Sequence, residues 1–274
     1  MNYKVKKPST AVITGASAGL GRIYADRLAK RGHDLMLVAR RSDLLDVLAQ
    51  SLRTSYGVKV STMVADLGDA KNLDAVAQVI SSDERITMLV NNAGTATLSS
   101  IAKSTQAGTD AMISINITAL TRLSIAALAA FKARDKGTIV NLGSVLGFHT
   151  TPLSAVYSGT KSFVLSFTRG LQDEAAGTNV RVQLVLPATT ATEIWDVAGV
   201  PLSALDPAII MTPGDCVDAA LAGLDQGEAI TMPSVQDMNL FATYDSARTN
   251  LYAGSRTGKP ASRYTHPAHT ALTT

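Results

Sequence analysis

Cysteine is almost missing from this chain. Cys216 is the only one in 274 residues, which excludes an intramolecular disulfide and any thiolate-rich metal centre and fits a reducing, cytoplasmic compartment. Aromatic side chains make up 5%, with one tryptophan, Trp195. A dominant charge is lacking too. Lys and Arg number 25 against 22 Asp and Glu, a balance of +3, so no polybasic surface for nucleic acid is expected. No run of about 18 apolar residues occurs, and no membrane span is expected. Lys4, Lys6 and Lys7 precede the apolar stretch Ala11–Leu20, but glycines and hydroxyl residues interrupt that stretch, so it reads as a strand entering a turn and not as a secretion signal. No His/Asp/Glu cluster has metal-ligand spacing, and no metal is expected.

What is present is a hydrophobic fraction of 46% with 17% charge, the profile of a folded globular chain. Six short β-branched or apolar runs, Thr10–Thr14, Asp34–Ala39, Lys59–Val64, Thr87–Val90, Gly137–Leu142 and Val180–Leu186, alternate with segments of helical period. Leu44, Leu45, Leu48 and Leu52 show that period, as do Leu73, Val76, Val79 and Ile80. Runs apolar nearly throughout suit strands covered on both faces. The pattern predicts an α/β fold with a doubly wound parallel sheet of the Rossmann type, one domain over residues 1–274. Periodicity fails from Pro187 to Pro213, read as a substrate lid or a long irregular connection, and resumes at Asp215–Leu224. Residues 254–274 read as a C-terminal tail or as an arm ordered against a partner subunit.

The first strand runs into Thr14-Gly15-Ala16-Ser17-Ala18-Gly19-Leu20-Gly21, and a helix follows. A dinucleotide's pyrophosphate approaches backbone amides at such a helix start, which requires residues without a Cβ; Gly15, Gly19 and Gly21 supply them. At the end of the second strand, where an NAD site would place a carboxylate on the ribose 2′-hydroxyl, the chain has Ala39-Arg40-Arg41. Arginines there suit a 2′-phosphate, so NADP(H) is the expected cofactor.

Together with Asp66-Leu67, Asn91-Asn92-Ala93-Gly94 and Tyr157-x-x-x-Lys161, the glycine turn gives the chain a sequence that resembles the short-chain dehydrogenase/reductase family across most of its length. The resemblance implies that Gly15, Ser17, Gly19, Leu20, Gly21, Arg40, Arg41, Asp66, Leu67, Asn92, Ala93 and Gly94 line the cofactor, Asp66 meeting the adenine amino group. An N-cap role ahead of the next helix is the alternative for Asp66. Tyr157 and Lys161 share one helix face over about Ser154–Ala175; Tyr157 is the expected general acid, and Lys161 is expected to lower its pKa and, by the resemblance, to hold the nicotinamide ribose. Ser144, just past the fifth strand, is expected to hold the substrate oxygen. Asn116, in the helical segment Asp110–Ala130, matches the family asparagine that holds a water linking Lys161 to solvent, or else binds a helix carbonyl. The family's second serine is Gly143 here, and its Pro-Gly is Pro187-Ala188. Pro187 and Thr192 fall at the nicotinamide, with Thr192 in a run of similar residues, Thr189-Thr190-Ala191-Thr192.

The expected substrate walls, Thr95–Thr97, Val145–His149 with Val145 and Leu146, Leu153, and Glu193–Leu202 with Ile194 and Trp195, are mostly apolar. They suit an apolar ketone, aldehyde or secondary alcohol. Trp195 either touches substrate or anchors the lid. A 3-oxoacyl-thioester reductase is the second enzymatic reading, although the lid has no Lys or Arg for a carrier's phosphates; a non-catalytic NADP sensor is the reading of another class. Phe163, Val164, Leu165, Phe167 and Leu171 cover more than one core-facing stripe, which points to a homodimer or homotetramer.

Overall fold

The structure is a computed structural model that describes residues 9–265. The chain divides after Ser234 into two compact units. The first holds a seven-stranded sheet, β1 (Thr10–Thr14), β2 (Asp34–Ala39), β3 (Val60–Val64), β4 (Ile86–Asn91), β5 (Gly137–Leu142), β6 (Val180–Val185) and β7 (Ile230–Thr231). The order is β3-β2-β1-β4-β5-β6-β7, every pair parallel. Helices α1 (Gly19–Lys30), α2 (Ser42–Tyr56), α3 (Ala70–Ser82), α4 (Gln106–Ile113), α5 (Leu120–Ala133), α6 (Ala155–Ala175), α7 (Ile194–Ala198) and α8 (Pro213–Gln226) complete this unit. This is the doubly wound Rossmann-type architecture.

Strand side chains alternate between two cores. Ala11 and Ile13 join Leu35, Leu37 and Val90 beneath α1, α2 and α8; Val12, Val38 and Leu89 join Ile139 and Val182 beneath α3, α5 and α6. Successive strands are added outward in one direction from β1 and in the other from β4, and the crevice at such a switch point, at the strands' carboxyl ends, is where open sheets of this kind take ligands. The glycine turn, Arg40, Asp66, Asn92, Ser144 and Pro187 all follow carboxyl ends of strands.

Between α4 and α5 the helix widens into a π-turn, Ser114–Ala119. The continuous run Gln106–Ala133 is long and apolar enough to cross a membrane by length and composition, which counting uninterrupted apolar residues misses because Thr121, Arg122 and Ser124 break it. Its buried Leu120, Leu123, Ala127, Leu128 and Phe131 face the sheet and make it a core helix.

The second unit carries α9 (Asn239–Ser255) and the short α10 (Ser262–Thr265). Neither contains a buried residue. The predicted arm or tail begins within α9, and its residues 266–274 lie outside the described part of the chain.

Candidate active site

Thr14 ties the cofactor turn to the next loop across the switch point. Its hydroxyl accepts from the backbone N–H groups of Asn92 and Ala93, both at 3.0 Å, and Asn92 Nδ2 donates to the Thr14 carbonyl at 2.9 Å. Two of the glycines answer to this packing. A Cβ on Gly15 would sit 2.8 Å from Asn92 Nδ2, and one on Gly21 would sit 2.3 Å from the Gly15 carbonyl oxygen. Gly15 and Gly19 also adopt positive φ, +65° and +50°, and a Cβ on Gly19 would meet Thr192 and Glu193 only at 3.4 to 3.5 Å. The helix α1 that begins there has no side-chain cap and no acid in its first turn, so its leading N–H groups are available to an anion.

Beside that turn, Arg41 Nε and Nη2 donate to Ser17 Oγ at 3.3 and 3.2 Å, and exposed Arg40 precedes it. An uncapped helix start with a guanidinium alongside fits a dinucleotide that carries an extra phosphate. Asp66 is not a helix cap. Asp69 caps α3, accepting from Asn72 N–H at 2.9 Å, whereas Asp66 Oδ1 accepts from Gly68 N–H at 2.9 Å. Leu67 is buried, and Gly94 lies exposed at the loop surface.

Four side chains converge at the end of β5. Ser144 is 8% exposed; its oxygen accepts from Leu146 N–H at 3.1 Å, and its hydroxyl favours the ionised form of the Tyr157 phenol. Lys161 is buried, donates to the Leu142 carbonyl at 2.9 Å, and lies 5.7 Å from the centre of the Tyr157 ring. Asn116, in the π-turn, holds both backbone groups of Thr95 at 2.9 Å: Oδ1 accepts from the N–H and Nδ2 donates to the carbonyl. Its side chain thus grips a loop, not a helix carbonyl.

Tyr157 itself is half-buried. Burial pushes the Tyr157 phenol up to about 12, with the Ser144 hydroxyl opposing, and the Lys161 ammonium lies beside its ring. Burial also pushes Lys161 down to about 8. The phenol is therefore protonated at neutral pH, as a proton donor must be.

Departures from the family pattern have local causes. A Cβ at position 143 would lie 2.8 Å from the Leu186 side chain. Asp135 is the only non-glycine with positive φ among the described residues, so Ala188 is unstrained, and the Pro187 carbonyl accepts from Val145 N–H at 3.0 Å. In the segment 187–213, Trp195 Nε1 donates to the Thr190 carbonyl at 2.8 Å, which anchors the ring within that segment; Ile194, Val145 and Leu146 are half-buried and His149 is exposed. Of the helix residues expected at a subunit interface, Val164, Leu165 and Leu171 are buried within the chain, while Phe163 stays 38% exposed and stacks on Phe167 at 5.6 Å.

Sequence reasoning missed two groups that hold these side chains, the Leu142 carbonyl and Thr160, and gave Thr95 only as a substrate wall; it also missed a separate buried polar set that joins β4, β5, α5 and α6, in which Asn91 Nδ2 donates to Asn141 and Ser124, both at 2.9 Å, and Asn141 Nδ2 to Thr168 at 3.0 Å. Asparagines inside otherwise apolar strands were the available signal.

The chain belongs to the short chain dehydrogenase family, whose profile matches residues 9–199. It is 35% identical over 188 residues to the very-long-chain 3-oxoacyl-CoA reductase-A of Danio rerio, covering 67% of this chain and 59% of that protein. The chain thus spans about three-fifths of that relative's length. Among solved structures, a short-chain dehydrogenase from Sphingobium yanoikuyae in complex with NADPH matches with a TM-score of 0.90 and 42% identity, over 93% of this chain and 100% of that one. The bulky-bulky ketone specific alcohol dehydrogenase from Comamonas testosteroni matches at 0.86 and 37%, over 94% and 99%.

Proposed function

We propose that the chain is an NADP(H)-dependent oxidoreductase that reduces an apolar ketone or aldehyde, or oxidises the matching alcohol. The observation that carries this reading is the grouping at the carboxyl edge of the sheet: Ser144 just past β5, Tyr157 perturbed by it, and buried Lys161 5.7 Å from the Tyr157 ring. Bound NADPH supplies the hydride, and NADP+ accepts it in the reverse direction. Tyr157 gives its proton to the carbonyl oxygen, and Ser144 holds that oxygen and stabilises its developing charge. Lys161 orients the cofactor's ribose, and Asn116 keeps the Thr95 loop in place. Arg40, Arg41 and Ser17 hold the 2′-phosphate, Asp66 the adenine amino group, and Pro187 and Thr192 the nicotinamide end.

The NADPH complex of the Sphingobium relative and the ketone named for the Comamonas one support the cofactor and the substrate class. The half-buried apolar walls Val145, Leu146 and Ile194, with the fixed Trp195 ring, support an apolar substrate. Residues 187–213 act as a lid over it. A cytosolic homodimer or homotetramer completes the reading, supported by the lone buried cysteine and by exposed Phe163.

The test is a panel of bulky ketones, aldehydes and 3-oxoacyl-thioesters followed by NADPH absorbance. Ketone turnover that falls by about 10²–10⁴ in Tyr157→Phe is expected. Preference for the thioesters would replace the substrate class. NADPH binding without turnover of any substrate would leave a sensor.

A further inference from the structure

One more side chain inside the Tyr157–Lys161 spacing is held from outside its own helix. Thr160 is 2% exposed. Its hydroxyl donates to the Tyr157 carbonyl at 2.7 Å and accepts from Asn116 Nδ2 at 3.0 Å. A helical threonine commonly bonds back to a carbonyl one turn earlier, and that bond alone only bends the helix slightly. The bond to Asn116 does more, because it crosses from α6 to the π-turn, and Asn116 in turn grips both backbone groups of Thr95. The Tyr157 turn, the π-turn and the loop after β4 are thereby joined through one hydroxyl and one amide, with both Nδ2 hydrogens used. Gly94 threads through the same place: a Cβ there would lie 3.3 Å from Asn116 Oδ1 and 3.8 Å from Lys161 Nζ.

We propose that Thr160 is a positioning residue for the reaction: its hydroxyl locks the Tyr157 turn of α6 to Asn116 and so fixes where the phenol meets Ser144. The proposal rests on the oxidoreductase reading above. Valine in its place keeps the shape and removes both bonds, leaving the Asn116 amide and the Tyr157 carbonyl against a methyl group. Displacements near 1 Å cost about 10²-fold in rate.

The experiment compares Thr160→Val, Thr160→Ser and Thr168→Val with the wild-type chain. Thr168 is also fully buried and accepts a hydrogen bond at 3.0 Å, but from Asn141. T160V is expected to lower kcat by about 10- to 100-fold, while KM for NADPH and its Kd by fluorescence titration without substrate stay near wild type. T160S, which keeps the hydroxyl, is expected to restore kcat; T168V lowers the melting temperature and leaves kcat unchanged. Should valine prevent folding, Thr160→Ala is read the same way. Wild-type kcat in T160V, equal kcat losses in T160V and T168V, or a T160S as impaired as T160V would overturn the proposal. A wild-type chain that binds no NADPH and turns over nothing overturns the oxidoreductase reading itself, and this proposal with it.

Discussion

Lys161 places a cation in a dry part of the molecule, so replacing it by methionine is expected to stabilise the cofactor-free protein while removing its activity. The lysine is 7% exposed. Its one hydrogen bond goes to the Leu142 carbonyl, and no carboxylate lies among the causes acting on it. A depression from 10.5 to about 8 corresponds to about 3 kcal/mol against the charged form at neutral pH. Methionine removes that penalty and gives up a charge-assisted hydrogen bond of about 1.5–3 kcal/mol, but regains part of this loss by burying an apolar chain of similar length. A net gain of about 1–2 kcal/mol remains, which is roughly 2–8 °C for a protein of this size.

The sign of the pH dependence makes this specific. A lysine whose folded pKa lies below its unfolded one binds fewer protons in the folded state between the two values, so wild-type stability rises from about pH 8 towards 10.5. The advantage of Lys161→Met is therefore full at pH 7 and shrinks across that window. Thermal melts of nucleotide-free protein at pH 7, 8, 9 and 10 measure it. A variant less stable than wild type at pH 7, or a difference that stays constant up to pH 10, refutes the argument from burial.

Two further outcomes follow from the cofactor turn. Arg41→Ala removes the guanidinium that bonds Ser17, and titration should show Kd for NADPH raised by about 10- to 100-fold, the loss of a charge-assisted pair, with Kd for NADH nearly unchanged. Gly21→Ala places a Cβ 2.3 Å from the Gly15 carbonyl; either the turn moves and nucleotide binding is lost, or the chain loses about 1–3 kcal/mol from overpacking, read by titration and urea melts.

Much of the sheet was legible because a strand announces itself along its own sequence. β1, β2 and β5 begin and end where their apolar runs do, whereas β7, two residues paired only to Leu184 and Val185, has no pattern to read. The π-turn carries no signature either, since SINITA has ordinary helical composition and widens to place Asn116 against Thr95. The distinction recurs at the candidate site. Tyr157, Lys161 and Ser144 stand out by spacing, because their chemistry requires those residue types at those positions. Asp69 displaces Asp66 as the cap of α3 because capping depends on which carboxylate reaches an N–H, a matter of three residues' backbone. The lowered Lys161 pKa was hidden for a related reason: spacing on a helix does not tell how dry a side chain is, and only the fold shows that this ammonium is buried against the Leu142 carbonyl. Spacing along one helix identifies groups that can react together; the direction in which each perturbs the other depends on how much water the surrounding elements exclude.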